Sequence, residues 1–490
     1  MPRRPNILIL MSDQEQGDVV RPDHPCQTPS SDRLAREGVR FTRARTPATH
    51  CCPARASFFS GVYPSRHGVF NNVSNPTAIH RSLNPGVTLF SEPLREAGYR
   101  LAFAGKWHVC DSENPADRGW EELGITAGKG SYMHRSFADW RSQADEPEPS
   151  GPRRRGEIRR PGWGSLQLYD SYPSAGKRGY EDHPDYAVVR SAVAELPRLA
   201  AGDEPWCLFI GLVGPHDPYV IPERYARMYD PAEVPLPASY ADALADKPAV
   251  YRRQRQQYWG QLSPDETREA IAHYWGFATM VDDMFGEVLD ALDATGQADD
   301  TLVLRLSDHG DYCGAHGLWM KGVAPFREAY NVPAIVRWPN GIARPGRVVD
   351  EFVTLADFAP TILEVAGVPD AYPTDGHSLA PFLRDEAPTD WPDAFCSQFN
   401  GVELYYSQRV VETKAHKYVY NGFDFDELYD LERDPAEMVN VADDPAYAGA
   451  KRDLVRRMWR FGEETRDFIF NPYGTVALAP WGPADALRGD

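Results

Sequence analysis

Long apolar runs, basic charge and cysteine are all in short supply in this sequence. No apolar stretch in the 490 residues approaches the ~20 that a membrane span requires. The first apolar run, Ile7 to Met11, passes directly into Ser12-Asp13-Gln14 and is too short for a signal h-region, so a cytoplasmic protein away from the membrane is expected. Basic residues number 52 against 71 acidic ones, a formal charge of −19. That balance argues against coating nucleic acid or adhering to anionic lipid, but a local cationic pocket could still take a small anion. The seven cysteines (Cys26, Cys51, Cys52, Cys110, Cys207, Cys313 and Cys396) form neither a disulfide framework nor a C-x-x-C zinc pair.

What is present is ample for a core: 42% of residues are apolar and 25% charged. With 39 glycines and 43 prolines, the chain is rich in loops, where function tends to sit. Several short apolar runs end in reactive side chains. Asn6 to Met11 leads to Asp13, and Leu101 to Ala104 leads to Lys106-Trp107-His108. Trp206 to Val213 leads to His216-Asp217, and Thr301 to Leu306 leads to Asp308-His309. Continuous apolar runs of this length read as buried parallel strands, and sites in open α/β sheets collect beyond the carboxyl ends of the strands. Each end taken alone could be only a polar strand end; together they point to one site.

Ser263, Pro264 and Glu266 open a long helix whose apolar stripe runs from Ile271 to Leu292, with Gly296 as a stop. Another strand is expected over Val332 to Trp338. Alternation of helix and strand gives an α/β fold: a large central mixed, mostly parallel sheet flanked by helices. Beyond residue 383 the texture changes. Short strands at Phe395 to Phe399, Tyr405 to Thr413 and Lys417 to Tyr420, then a helix over Ala448 to Glu464, give a smaller α+β unit with a short antiparallel sheet. We therefore expect a catalytic domain over 1–383 and a C-terminal domain over 384–490. The Arg-rich segment 143–161, with Arg153, Arg154, Arg155, Arg159 and Arg160, reads first as a solvated loop and second as a contact for substrate or partner.

The segment His50-Cys51-Cys52-Pro53-Ala54-Arg55 stands apart. Pro53 suits a helix first turn and Gly61 its end, so Cys51 and Cys52 sit at a helix N-terminus. A thiol there, one turn from Arg55, is expected to be acidified and nucleophilic. The same pattern is equally compatible with two buried structural cysteines.

The spacing Cys51-x-Pro53-x-Arg55, then four residues and Ser60-Gly61, resembles the signature of the type I sulfatase family within the alkaline-phosphatase-like superfamily. The likeness continues through Asp13, Gly105-Lys106-Trp107-His108, Gly214-Pro215-His216, Ser307-Asp308-His309-Gly310-Asp311, Lys321 and Glu427-Leu428-Tyr429-Asp430-Leu431. Gln14 and His309 stand where many members have Asp and Asn, a departure that resembles the choline-sulfatase and phosphonate-monoester-hydrolase branches. The resemblance implies that Cys51 is converted to formylglycine by a formylglycine-generating enzyme and that its hydrate attacks sulfur. It implies one divalent metal on Asp13, Gln14, residue 51, Asp308 and His309. Oxygen donors put Ca²⁺ first, and the imidazole puts Mn²⁺ next.

By the same resemblance Arg55, Lys106 and Lys321 would hold the sulfate oxygens. His216 with Lys321 would protonate the leaving alcohol, and His108 would act as the base that expels sulfate. Lys106, His216 and Lys321 would thus bind substrate, with Asn72 or Asn71 adding a hydrogen bond; His67, His316 and Arg66 read as structural. The expected activity is hydrolysis of a small anionic sulfate monoester. Phosphonate monoester or phosphodiester hydrolysis at the same site is the alternative, and a non-catalytic metal-binding protein with unmodified Cys51 a third reading. Neither nucleic acid nor membrane is an expected partner, and a homo-oligomer is left open.

Overall fold

The structure, a computed structural model, describes residues 4–487 apart from 76, 127, 129–149, 161–163, 175 and 402–403. The Arg-rich segment read from the sequence therefore lies partly outside the described residues. The first twelve strands are β1 (Asn6–Ser12), β2 (Gly38–Arg45), β3 (Arg100–Lys106), β4 (Glu121–Thr126), the hairpin β5–β6 (Glu157–Arg160, Gly164–Gln167), β7 (Tyr169–Tyr172), β8 (Trp206–Gly211), β9 (Tyr219–Pro222), β10 (Thr301–Ser307), β11 (Ala334–Arg337) and β12 (Arg347–Thr354). Eight of them form one sheet in the order β12-β2-β11-β10-β1-β8-β3-β4. Only β11 runs against its neighbours β10 and β2.

The central strands are apolar throughout because both faces of the sheet are covered. In β1 every residue is buried. Leu8 and Leu10 join the core on one face, with the Pro264–Ala294 helix. Ile7, Ile9 and Met11 join the core on the other, with Phe58 and Phe59 of the Cys51–Ser60 helix. Period-two alternation thus serves two cores rather than core and solvent. The long helix begins as the sequence indicates: Glu266 N donates to Ser263 Oγ at 3.2 Å, and Ser263 N donates to Glu266 Oε2 at 3.0 Å.

The C-terminal part holds β13 (Ala394–Phe399), β14 (Gln408–Thr413), β15 (His416–Asn421) and β16 (Glu427–Asp430), an antiparallel sheet in chain order covered by the Ala448–Glu464 helix. Expected strand positions were right to within a few residues, whereas β2, β4, β5, β6, β7, β9, β12 and β16 were not read as strands. Among the described residues, no helix is long and apolar enough to cross a membrane.

Candidate active site

The four reactive strand ends meet at one edge. β10, β1, β8 and β3 are successive neighbours, so Asp308-His309, Asp13, His216 and Lys106 all emerge at their carboxyl ends. The β3–β8 approach is tight. Gly105 sits at φ 91°, and a Cβ on it would strike the Gly211 carbonyl, so only glycine lets Lys106 reach this edge. β2 leads into the Cys51–Ser60 helix, which Gly61 ends in the left-handed region at φ 71°.

One donor each from Asp13, Cys51, Asp308 and His309 lies within 4.8 Å of the others, and all four residues are buried. Cys51 Sγ is 3.3 Å from His309 Nε2 and 3.7 Å from Asp13 Oδ1. His309 Nδ1 is 2.9 Å from the Gly310 carbonyl, so Nδ1 carries the proton and Nε2 turns its lone pair to the cluster. Burial pushes this imidazole down to about 3, which keeps it a neutral donor. Two carboxylates, an imidazole and the residue 51 side chain on one buried point form a donor set that fits a divalent cation. Gln14 stands beside this set, and its side chain is engaged elsewhere. Its Nε2 donates to Asp217 Oδ1 at 2.9 Å and Asp311 Oδ2 at 2.6 Å, while its Oε1 accepts from Lys321.

Cations surround the cluster. Arg55 is fully buried; its Nε donates to Asp308 Oδ2 at 2.8 Å and its Nη1 to the Lys106 carbonyl at 2.9 Å. Among the described residues its Nη2 has no hydrogen-bond partner. Burial alone would raise Asp308, but Arg55, with His309 and Lys106, holds the carboxyl well below the usual range. The Lys106 ammonium meets Asp13 Oδ2, and burial pushes it down to about 8. His216 Nε2 lies 2.6 Å from Lys321 Nζ, and its Nδ1 lies 2.7 Å from the Asp217 carbonyl. Nδ1 therefore carries the proton and Nε2 accepts from the lysine. Burial, helped by Lys321, pushes this imidazole down to about 4. His108 is buried as well, and burial together with Lys106 and Arg55 keeps it well below the ordinary histidine value.

Two expectations meet a different local picture. The thiol of Cys51 is not acidified: burial pushes it up to about 12, outweighing the pull of Lys321 and Arg55. Asn72 turns its Oδ1 to the helix end, accepting from Cys52 N at 3.0 Å. Cys52, also fully buried, faces away from the cluster and accepts from Val73 N at 3.5 Å.

The sequence reading missed Asp217 and Asp311, which fix the Gln14 amide. Asp311 also accepts from the Tyr219 hydroxyl at 2.6 Å, and burial pushes its carboxyl up to about 7. Both lie inside segments already quoted for their histidines, and their charge was the available signal.

Residues 5–368 match the Sulfatase family, and residues 314–464 match the C-terminal region of N-sulphoglucosamine sulphohydrolase. The chain is 29% identical to a choline-sulfatase of Rhizobium meliloti, over 98% of this chain and 93% of that one. It is also 29% identical to a multifunctional alkaline phosphatase superfamily protein of Trinickia caryophylli, over 94% and 96%. The solved phosphonate monoester hydrolase of Silicibacter pomeroyi superposes with a TM-score of 0.74 at 26% identity, covering 94% of this chain and 96% of that one.

Proposed function

The chain belongs to the sulfatase family and is a sulfuric ester hydrolase, and we propose that it cleaves small sulfate monoesters at residue 51. The observation that carries this is the buried convergence of Asp13, Cys51, Asp308 and His309 at the head of the Cys-x-Pro-x-Arg helix. We propose these four residues as the holders of the metal, with Gln14, the fifth expected ligand, joining them by turning its amide oxygen from Lys321; Ca²⁺ stands ahead of Mn²⁺ because oxygen donors outnumber the imidazole. When converted to the family's formylglycine by a formylglycine-generating enzyme, residue 51 would, with a metal held by these residues, supply a nucleophile at neutral pH and charge relief on the sulfuryl oxygens.

The chain's own groups do the rest. Arg55 neutralises Asp308 and fixes its orientation, leaving Nη2 for a sulfuryl oxygen. Lys106 and Lys321 bring two ammonium groups to the same edge of the sheet. Lys321 donates to neutral His216, so the proton for the leaving alcohol sits on the lysine and His216 orients it. His108, held neutral, is the base beside Arg55 and Lys106. Asn72, on the helix end, would reach a substrate oxygen only by giving up Cys52 N.

A second reading, phosphonate monoester or phosphodiester hydrolysis, is supported by the Silicibacter pomeroyi likeness and by His309 in the donor set. Rates on nitrophenyl sulfate and on a phosphonate monoester of the same leaving group, with fully modified enzyme, separate the two. Faster sulfate turnover upholds the first reading, and faster phosphonate turnover replaces it with the second.

A further inference from the structure

Five arginines of the 153–160 segment were left without a function, and four of them have carboxylate partners. Arg153 pairs with Glu266 at 2.6 Å, Arg154 with Asp170 at 2.8 Å, Arg155 with Glu269 at 2.5 Å and Arg159 with Glu157 at 2.9 Å. Arg160 makes no ion pair among the described residues. Its guanidinium lies over the Tyr258 ring, 5.6 Å from the centroid, and the residue is half-buried. A guanidinium laid on an aromatic ring is pre-positioned to meet an external anion.

Its place in the fold gives that anion an address. The β5–β6 hairpin, whose first strand ends on Arg160, runs on from β6 to Leu168, whose carbonyl accepts from Tyr219 N at 2.7 Å, two residues past Asp217. The hairpin is pinned on its other side by Gln261, whose Oε1 accepts from Arg159 N at 3.0 Å. Tyr258 continues the turn from Gln254, whose Nε2 stands 4.0 Å from where a Cβ on Gly322 would lie, next to Lys321. Tyr258 is therefore one helical turn from the residue that meets the Lys321 loop, and its hydroxyl lies within electrostatic reach of Asp217. Its hydroxyl feels both sides: burial raises it, Arg160 draws it back and the Asp217 carboxylate adds to the rise. The edge here is open, with the His216 side chain 26% exposed.

We propose that Arg160, laid over Tyr258 at the mouth of the Cys51 site, receives a second anionic group, a carboxylate or another sulfate, on the alcohol half of the substrate. This deepens the sulfatase reading and rests on it: the preferred esters are those that keep a negative charge on the product alcohol. The plain guanidinium face and edge suit either oxyanion.

The test compares 4-nitrophenyl sulfate with two ring-substituted analogues of matched leaving-group pKa, one bearing a carboxylate and one a second sulfate. Arg160→Met should lower the kcat/KM ratio of substituted to plain ester by about tenfold in at least one arm, the size of one charge-assisted contact at a partly exposed site. The arm that responds names the anion. Arg154→Met, which removes a paired arginine of the same segment, should leave the ratio at its wild-type value. An unchanged ratio for Arg160→Met in both arms overturns the proposal.

Calorimetric binding of the same esters to Cys51→Ala enzyme, with and without Arg160→Met, reads the contact without chemistry. Absence of turnover on every ester would defeat the sulfatase reading alone. An Arg160-dependent preference in binding would still uphold the second anion site, and equal affinities would remove it.

Discussion

Two adjacent cysteines with opposite surroundings carry the sharpest consequence at the level of single residues. Cys51 Sγ faces His309 and Asp13, whereas Cys52 accepts from Val73 N inside the core. Cys51→Ala should abolish turnover, and Cys52→Ala should keep most of it at a modest cost in stability; peptide mass spectrometry should find the aldehyde at residue 51. An aldehyde on Cys52 would reverse the assignment. Lys321 and His216 give a second expectation. Removing the proton donor matters where the departing oxygen is a poor leaving group, typically by about 10²–10⁴-fold. Lys321→Ala should therefore lose far more kcat/KM on an alkyl sulfate than on nitrophenyl sulfate. His216→Ala should follow the same slope more weakly, because His216 accepts from the lysine. A uniform loss across the leaving-group series would make both residues binding groups only.

Among the elements, the strand ends were legible and the charged strands were not. Asp13, Lys106, Asp308 and His309 follow runs of buried apolar residues, so spacing alone brings them to one edge. β2 carries Arg40, Arg43 and Arg45 and was not picked out from the sequence, yet Arg45 is buried against Glu412, a partner 367 residues away. The acidified thiol was misjudged for a related reason: the helix N-terminus can be read from sequence, while the depth of burial that outweighs it cannot.

The metal donors give an element-level expectation. Asp308→Ala removes a carboxylate supplied by the end of β10 and frees Arg55, so metal measured by elemental analysis should fall sharply. Full metal content with normal activity would contradict the donor set. His67 ties the Cys51–Ser60 helix to the following turn, with Nε2 3.1 Å from Ser57 Oγ and Nδ1 accepting from Val69 N at 3.1 Å. Burial pushes it down to about 3 from the ordinary 6.5. The unfolded chain takes up this proton below 6.5 while the folded chain refuses it until about 3, so stability is lost as pH falls through that window. The denaturation free energy of wild type relative to His67→Gln should drop by about 2 kcal/mol between pH 7 and pH 5. A difference that does not change with pH would show that His67 is not held neutral.

On the scale of the whole molecule, the C-terminal sheet is bound to the loop that delivers Cys51. Arg45 ends β2 and pairs with Glu412 of β14 at 2.7 Å, both almost fully buried, and Gln398 N donates to the Pro47 carbonyl at 3.0 Å. We propose 384–490 as a domain that stabilises this loop from outside the large sheet. Glu412→Gln would strand a buried guanidinium, and we expect a loss of about 3 kcal/mol in unfolding free energy. Unaltered stability would mean that the two parts are held together elsewhere. The function itself is tested most directly by relating sulfate release to the state of residue 51. Preparations spanning low to full aldehyde content at that position, each quantified by mass spectrometry, would be assayed on nitrophenyl sulfate. Turnover should rise in proportion to the aldehyde fraction and vanish in the thiol form. Equal turnover from the thiol form, or no sulfate released by fully modified enzyme, would contradict a formylglycine-dependent sulfatase.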